Sequence, residues 1–294
     1  MPEGAVLVSG ASGNLGRRTA ELLLESLPAS DVILVTRTPA AVADLGERGC
    51  HVRFGDYGEP GSLAEAYAGA EQLLLISASD VGLRVEQHRA AIGAAAEAGV
   101  RQVVYTSGLN PEPPNPAVTS PSHYATEQAL AGSGLAWTVL RNSLYSEYQV
   151  PEAAHAAAAG TLTHNRGNGQ VAYVSREDCA AVAAAVLTGG GHEGRVYDVT
   201  GPQAFHPDEL AALYGERTGR AVEVEELDDG TFVDRLQGDA RDDEHARYGA
   251  ELVASFGRSI REGYMASCTD VVESLVGRPP STLRAVLEAA DLRV

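Results

Sequence analysis

A chain of 294 residues has room for one large domain, or for a nucleotide-binding unit with a smaller appendage. A net charge of −18 leaves no basic stripe for phosphates, which argues against nucleic acid, and no apolar stretch approaches the roughly 18 residues of a membrane span. All 22 basic residues are arginine, so chemistry that needs a lysine is excluded.

The first apolar run, Ala5–Ser9, ends in Gly10-Ala-Ser12-Gly13-Asn14-Leu15-Gly16 and leads into a helical pattern near 13–26. Further strand-like runs at 32–36, 51–54, 72–76, 101–106 and 136–141 alternate with helical segments near 40–48, 61–68, 83–98 and 122–131. Continuous apolar strands alternating with helices predict a parallel sheet covered on both faces, an α/β doubly wound Rossmann-type fold. Residues 109–121 carry five prolines and are expected to form a loop at the carboxyl edge of the sheet, either a lid or plain surface. After residue 142 the rhythm loosens. Short strand patterns at 170–174, 195–199 and 221–225 mix with helices starting near Asp178, Pro207, Asp243, Asp270 and Ser281. The expected division is a Rossmann domain over 1–142 and a smaller α/β substrate lobe over 143–294, with the chain free to cross between them. The acidic stretch 223–244 reads as a solvated helical surface.

A buried strand, a glycine turn and a helix N-terminus in succession suit a backbone that approaches a pyrophosphate. Glycine permits the close approach, and free N–H groups with the helix dipole favour negative charge. The spacing is G-x-x-G-x-x-G, a partial match to the dinucleotide fingerprint. Gly10, Ser12, Gly13, Asn14, Leu15 and Gly16 are therefore the first candidate cofactor residues. The second strand ends Val35-Thr36-Arg37-Thr38, with an arginine where an acid would bind the ribose hydroxyls of NAD. Arg37, aided by Arg17, is expected to hold the 2′-phosphate of NADP(H). Asp56 suits the adenine amino group, or else a turn. Ser77 and Ala78 end the fourth strand beside the cofactor path, and Ser107 ends the fifth near the nicotinamide.

The glycine pattern, the Arg37 segment, Gly55-Asp-Tyr57, Leu73-Leu-Leu-Ile-Ser77 and Tyr105-Thr-Ser107 resemble atypical short-chain dehydrogenases of the NmrA-like group. Leu140-Arg-Asn-Ser-Leu-Tyr-Ser-Glu147, Ser175-Arg-Glu-Asp-Cys-Ala180 and Val276-Gly-Arg-Pro-Pro-Ser-Thr-Leu283 extend the resemblance over nearly the whole chain. Within the group the likeness is to bacterial NAD(P)H:quinone reductases, with triphenylmethane dye reductases and polyketide ketoreductases nearby. The resemblance implies NADPH in a cleft between the Rossmann domain and a small lobe. The group also holds non-catalytic sensors of NADP redox state.

One departure matters for chemistry. Short-chain dehydrogenases commonly pair a tyrosine with a lysine four residues on, whereas this chain reads Tyr124-Ala-Thr-Glu-Gln128. Tyr124 lacks the ammonium that would make it a proton shuttle. Ser107 or Tyr124 is expected to donate a hydrogen bond to the substrate carbonyl, and Gln128 to bond the nicotinamide ribose. Asn142, Ser143, Tyr145 and Tyr148, after the sixth strand, are expected to line a pocket for a flat aromatic substrate. His88 reads as a packing or surface residue, His123 as a loop residue, and Asp178 as a helix cap. Cys179 opens a predicted helix, where a thiol pKa can fall, but reads as a packing residue.

The reading is thus an NADPH-dependent reductase delivering hydride to a quinone or other conjugated ketone. An NADP(H)-sensing regulator and a non-redox cyclase or isomerase remain open. A monomer or homodimer is expected, without metal, nucleic acid or membrane. Three dispersed cysteines without C-x-x-C, and no basic leader before an apolar core, point to a cytoplasmic location.

Overall fold

The apolar runs of the first half become six strands of one parallel sheet: β1 (Ala5–Ser9), β2 (Val32–Thr36), β3 (His51–Phe54), β4 (Ala70–Leu75), β5 (Gln102–Gly108) and β6 (Ala136–Asn142). The structure, a computed structural model, describes residues 4–238, 240 and 243–290. The helices between the strands are α1 (Asn14–Leu23), α2 (Ala43–Glu47), α3 (Leu63–Tyr67), α4 (Arg84–Glu97) and α5 (Ser120–Ala131). Beyond them lie α6 (Gln149–Ala159), β7 (Thr161–His164), α7 (Arg176–Thr188), β8 (Arg195–Val199), α8 (Pro207–Thr218) and β9 (Glu223–Glu226). The chain closes with α9 (Asp229–Gln237), α10 (Glu244–Arg261), α11 (Val271–Val276) and α12 (Leu283–Ala289).

The strands are apolar throughout because both faces are covered. Successive side chains point to opposite sides, so Val6 and Val8 enter one core while Ala5 and Leu7 enter the other. The first core is shared with α1, α7 and α11, the second with α3, α4 and α5. The seven-stranded order is β3-β2-β1-β4-β5-β6-β8, all pairs parallel. The order reverses between β1 and β4, and a crevice opens at the carboxyl ends of strands at such a switch point.

Several elements after residue 142 return to this unit. The 195–199 pattern becomes β8, paired with β6 at the sheet edge, and α7 packs on α1. Helices α6, α8, α10 and α12 surround a third core containing Leu162, Phe205, Leu210 and Ile260, beside a two-stranded β7–β9 ladder. Both α6 and β7 are absent from the sequence-based reading, although Ala153–Ala159 closed by Gly160 (φ 74) carries a helix-and-stop signal. The acidic stretch is not one helical surface, because β9 occupies its start and α9 follows. Residues 170–174 form no regular strand and make only isolated bridges, Val171 to Phe205 and Val174 to Tyr145.

Two local expectations are corrected. Helix α5 begins at Ser120, inside the proline-rich stretch, because Pro121 sits in the first turn, where its missing N–H has no intrahelical partner to lose. Asp178 is not the cap of α7. Ser175 Oγ takes that role, accepting from the Asp178 N–H, and the fully buried Asp178 carboxylate binds Arg278 Nη1 at 2.6 Å and the Ser281 N–H at 2.7 Å. No helix among the described residues is long and apolar enough to cross a membrane.

Candidate active site

The crevice holds two neighbouring cavities. One, of about 290 Å³, is lined by Gly10, Ser12 and Gly13 of the glycine turn, Thr36 and Arg37 after β2, Asp56 and Tyr57 after β3, and Ser77, Ala78 and Asp80 after β4. The turn is held by Ala11 N–H to Val35 O at 3.1 Å and Gly13 N–H to Gly10 O at 2.9 Å. Gly10 has φ +62, which disfavours other residues, and a Cβ on Gly16 would stand 2.5 Å from Gly10 O. Asn14, Leu15 and Gly16 open α1, so their N–H groups lack a carbonyl one turn earlier. The Leu15 side chain itself is buried in the core.

Arg37 is exposed and makes no ion pair among the described residues. Arg17 is committed elsewhere, to Asp44 and Glu21, so the expected second arginine is not available. Asp56 performs its turn role, Oδ1 accepting from Gly58 N–H at 2.8 Å, while also lining the cavity.

The second cavity, of about 200 Å³, shares Ser77 with the first. Ser107, Asn142, Ser143, Tyr145 and Tyr148 all line it, with Arg84, His123, Phe256 and Met265. Asn142 Oδ1 and Ser143 Oγ are buried and have no hydrogen-bond partner among the described residues. Tyr145 and Tyr148 stand 6.0 Å apart, and the Arg176 guanidinium lies within 5 Å of both ring centres, at 4.9 and 4.8 Å.

Beneath this cavity the chain departs from expectation. Ser107 Oγ donates to Glu127 Oε1 at 2.6 Å, so its proton is held by a carboxylate and is not offered to a substrate carbonyl. Glu127 is in turn gripped at both oxygens by Arg141, at 3.1 and 2.7 Å, and Arg141 also binds Glu112 of the proline-rich segment. Tyr124 and Gln128 line neither cavity, and Gln128 is exposed. Ser120, His123 and Glu127 are buried on the inward face of α5, Tyr124 lies half-buried on its flank, and Gln128 faces outward.

His123 lies on α5, not in a loop. It is buried, its Nδ1 2.8 Å from Tyr105 Oη and its Nε2 3.3 Å from Arg84 Nη1. His88 Nε2 accepts from the Ala78 N–H at 2.9 Å, while Nδ1 meets Thr126 Oγ1 at 3.0 Å. Burial, with the Arg84 charge added, pushes both imidazoles down to about 3, so both are neutral at physiological pH. Cys179 is buried in the core, as its packing reading expects, and burial pushes its thiol up.

Arg84, Glu127 and Arg141 were missed as site residues. For Glu127 the available signal was three polar residues, 120, 123 and 127, at helical spacing on α5; for Arg84 on α4 and Arg141 on β6 the chain carries no such local pattern.

Comparison with known proteins agrees with this geometry. A family model described as "NAD(P)H-binding" matches residues 10–189. The chain is 36% identical to quinone oxidoreductase 2 of Escherichia coli over 95% of its length and 96% of that protein. A crystal structure of the E. coli NADPH-dependent quinone oxidoreductase complexed with NADPH superposes with a TM-score of 0.91 at 34% identity, covering 97% of this chain and 99% of that one. Triphenylmethane reductase of Citrobacter sp., complexed with NADP(H), gives 0.87 at 32% identity, with 97% and 99% covered. With its glycine turn, parallel sheet and paired cavities, the chain belongs to the NAD(P)H-binding, NmrA-like family of oxidoreductases.

Proposed function

We propose that this protein is an NADPH-dependent reductase that passes hydride to a quinone or a comparably conjugated carbonyl. The observation that carries the reading is the meeting, at Ser77, of a glycine-lined cavity with an aromatic-walled one. In this reading residues 1–142, completed by α7 and β8, hold the cofactor. The rest of 143–294 covers the acceptor.

The residues present fit the cofactor. The Gly10–Gly16 turn offers backbone N–H groups to a pyrophosphate, and the unpaired Arg37 suits the 2′-phosphate. The orphaned Asn142 Oδ1 and Ser143 Oγ supply an acceptor and a hydroxyl for a carboxamide. Bound NADPH supplies the hydride. The protein's part is to hold the acceptor close and oriented, Tyr145 and Tyr148 offering it flat apolar faces. Ser107, with its proton engaged by Glu127, presents lone pairs to the cavity and serves as an acceptor. Tyr124 has no part in proton transfer, so the reduced product takes its proton from water.

The test is NADPH oxidation by the purified protein with a panel of quinones, followed by loss of reduced-nicotinamide absorbance. Acceptor-dependent oxidation that prefers NADPH to NADH is expected. Tight NADPH binding with no oxidation by any acceptor would favour the sensor or non-redox alternatives.

A further inference from the structure

Arg84 stands in an unusual electrostatic position. It is 6% exposed, yet no carboxylate among the described residues lies within ion-pair distance of its guanidinium. Its three contacts are neutral: Nε donates to Ala78 O at 2.8 Å, and Nη1 donates to Ser122 Oγ at 3.0 Å and lies 3.3 Å from His123 Nε2. Nη2 donates to no protein atom among the described residues and is not among the sealed, unpartnered buried atoms. Asp80 acts on the charge only at a distance.

Buried charges are ordinarily paired, because desolvation without compensation is costly. An unpaired guanidinium lining a cavity therefore waits for an anion. Among the described residues it is also the only permanent cation in the acceptor cavity's lining, since His123 is neutral.

We propose that Arg84 is a catalytic residue, binding through Nη2 the acceptor oxygen that becomes negative during reduction. This rests on the reductase reading above. Hydride addition moves two electrons and one proton from the reduced nicotinamide, which is left oxidised. The quinone becomes a monoanion with its charge on oxygen, and a proton from water then completes the hydroquinone. A fixed donor cation at that oxygen stabilises the charge as it develops and needs no proton transfer. In a chain without lysine, Arg84 fills the electrophilic role that an ammonium or an acidified phenol would otherwise take.

The experiment compares wild type with Arg84→Gln and Arg84→Lys in three readouts. These are NADPH affinity, turnover across quinones of graded hydroquinone acidity, and calorimetric titration of benzoate into protein saturated with NADP⁺. Arg84→Gln is expected to keep NADPH affinity, lose about 100-fold in kcat, and lose most for acceptors whose anions are most basic. Benzoate affinity is expected to fall at least about tenfold, in line with losing a charged partner. An equal loss of turnover across the panel with unchanged benzoate affinity would overturn the proposal. If Arg84→Gln does not fold, Arg84→Lys decides. Retained benzoate binding and acceptor dependence support a charge-based role, and loss of both with the charge kept refutes it. If no acceptor is reduced even by wild type, the reductase reading falls. Benzoate binding then still separates an anion site, present in wild type and lost in the variant, from none.

Discussion

The two ends of the cleft are built from different materials. The cofactor end consists of a backbone turn, helix N–H groups and side chains at four successive strand ends. The acceptor end consists mostly of buried side chains drawn from α4, α5, β5 and β6 and the segment after β6, with the Glu127–Arg141 pair beneath them. A backbone-built site tolerates side-chain change but fails when a Cβ intrudes. A side-chain-built site fails when one partner of a buried pair is lost.

The contrast is broken most forcefully at Glu127. In Glu127→Ala the Arg141 guanidinium, 14% exposed at its side chain, keeps only Glu112. A loss of about 3 kcal/mol is expected in urea unfolding, as for a broken buried pair, with NADPH affinity of the folded fraction unchanged. Weakened NADPH binding at equal stability would show that the two ends are not separable.

At the other end, Gly16→Val places side-chain atoms against Gly10 O and Ala11 Cα. Overpacking of about 2 kcal/mol and loss of NADPH binding are expected, read by thermal unfolding and cofactor fluorescence.

Acid should act mainly on the acceptor end. His88 and His123 stay neutral in the folded protein down to about 3, whereas the unfolded chain protonates histidine near pH 6.5. Their stabilising contribution is complete above pH 6.5 and is lost as pH falls, by about 2 kcal/mol each on reaching pH 5. Urea midpoints measured from pH 7.5 to 5 in wild type and His88→Asn check this, the variant showing the shallower decline.

Arg37→Ala is expected to weaken NADPH binding by roughly tenfold or more and to leave NADH binding unchanged. An equal loss for both cofactors would remove Arg37 from the 2′-phosphate. The smallest effect belongs to Tyr124→Phe, for which turnover within about twofold of wild type is expected, because the phenol lies outside both cavities. A large drop in kcat would return the tyrosine to the mechanism.

The sheet was legible because its signals are local. Four strands of the sheet, β1, β2, β3 and β8, have the bounds that the sequence patterns mark, and the glycine turn is written in consecutive residues. The small lobe was less legible. Alanine-rich α6 and the short β7 owe their form to a core assembled from distant segments; β8 has the expected bounds, but its place at the edge of the large sheet is set by pairing with β6.

The site divides in the same way. The sequence alone determined the strand ends, the turn, Arg37 and the tyrosine-bearing segment, since each depends on residues adjacent in the chain and on simple periodicity. Only the tertiary structure decided that Ser107 gives its proton to Glu127, that Arg17 is spent on Asp44, that Tyr124 lies outside both cavities, and that Arg84 meets no carboxylate among the described residues. Those facts depend on which charges meet across 20 or more residues of chain, and on which side of a helix faces water. Neither is encoded at any one position.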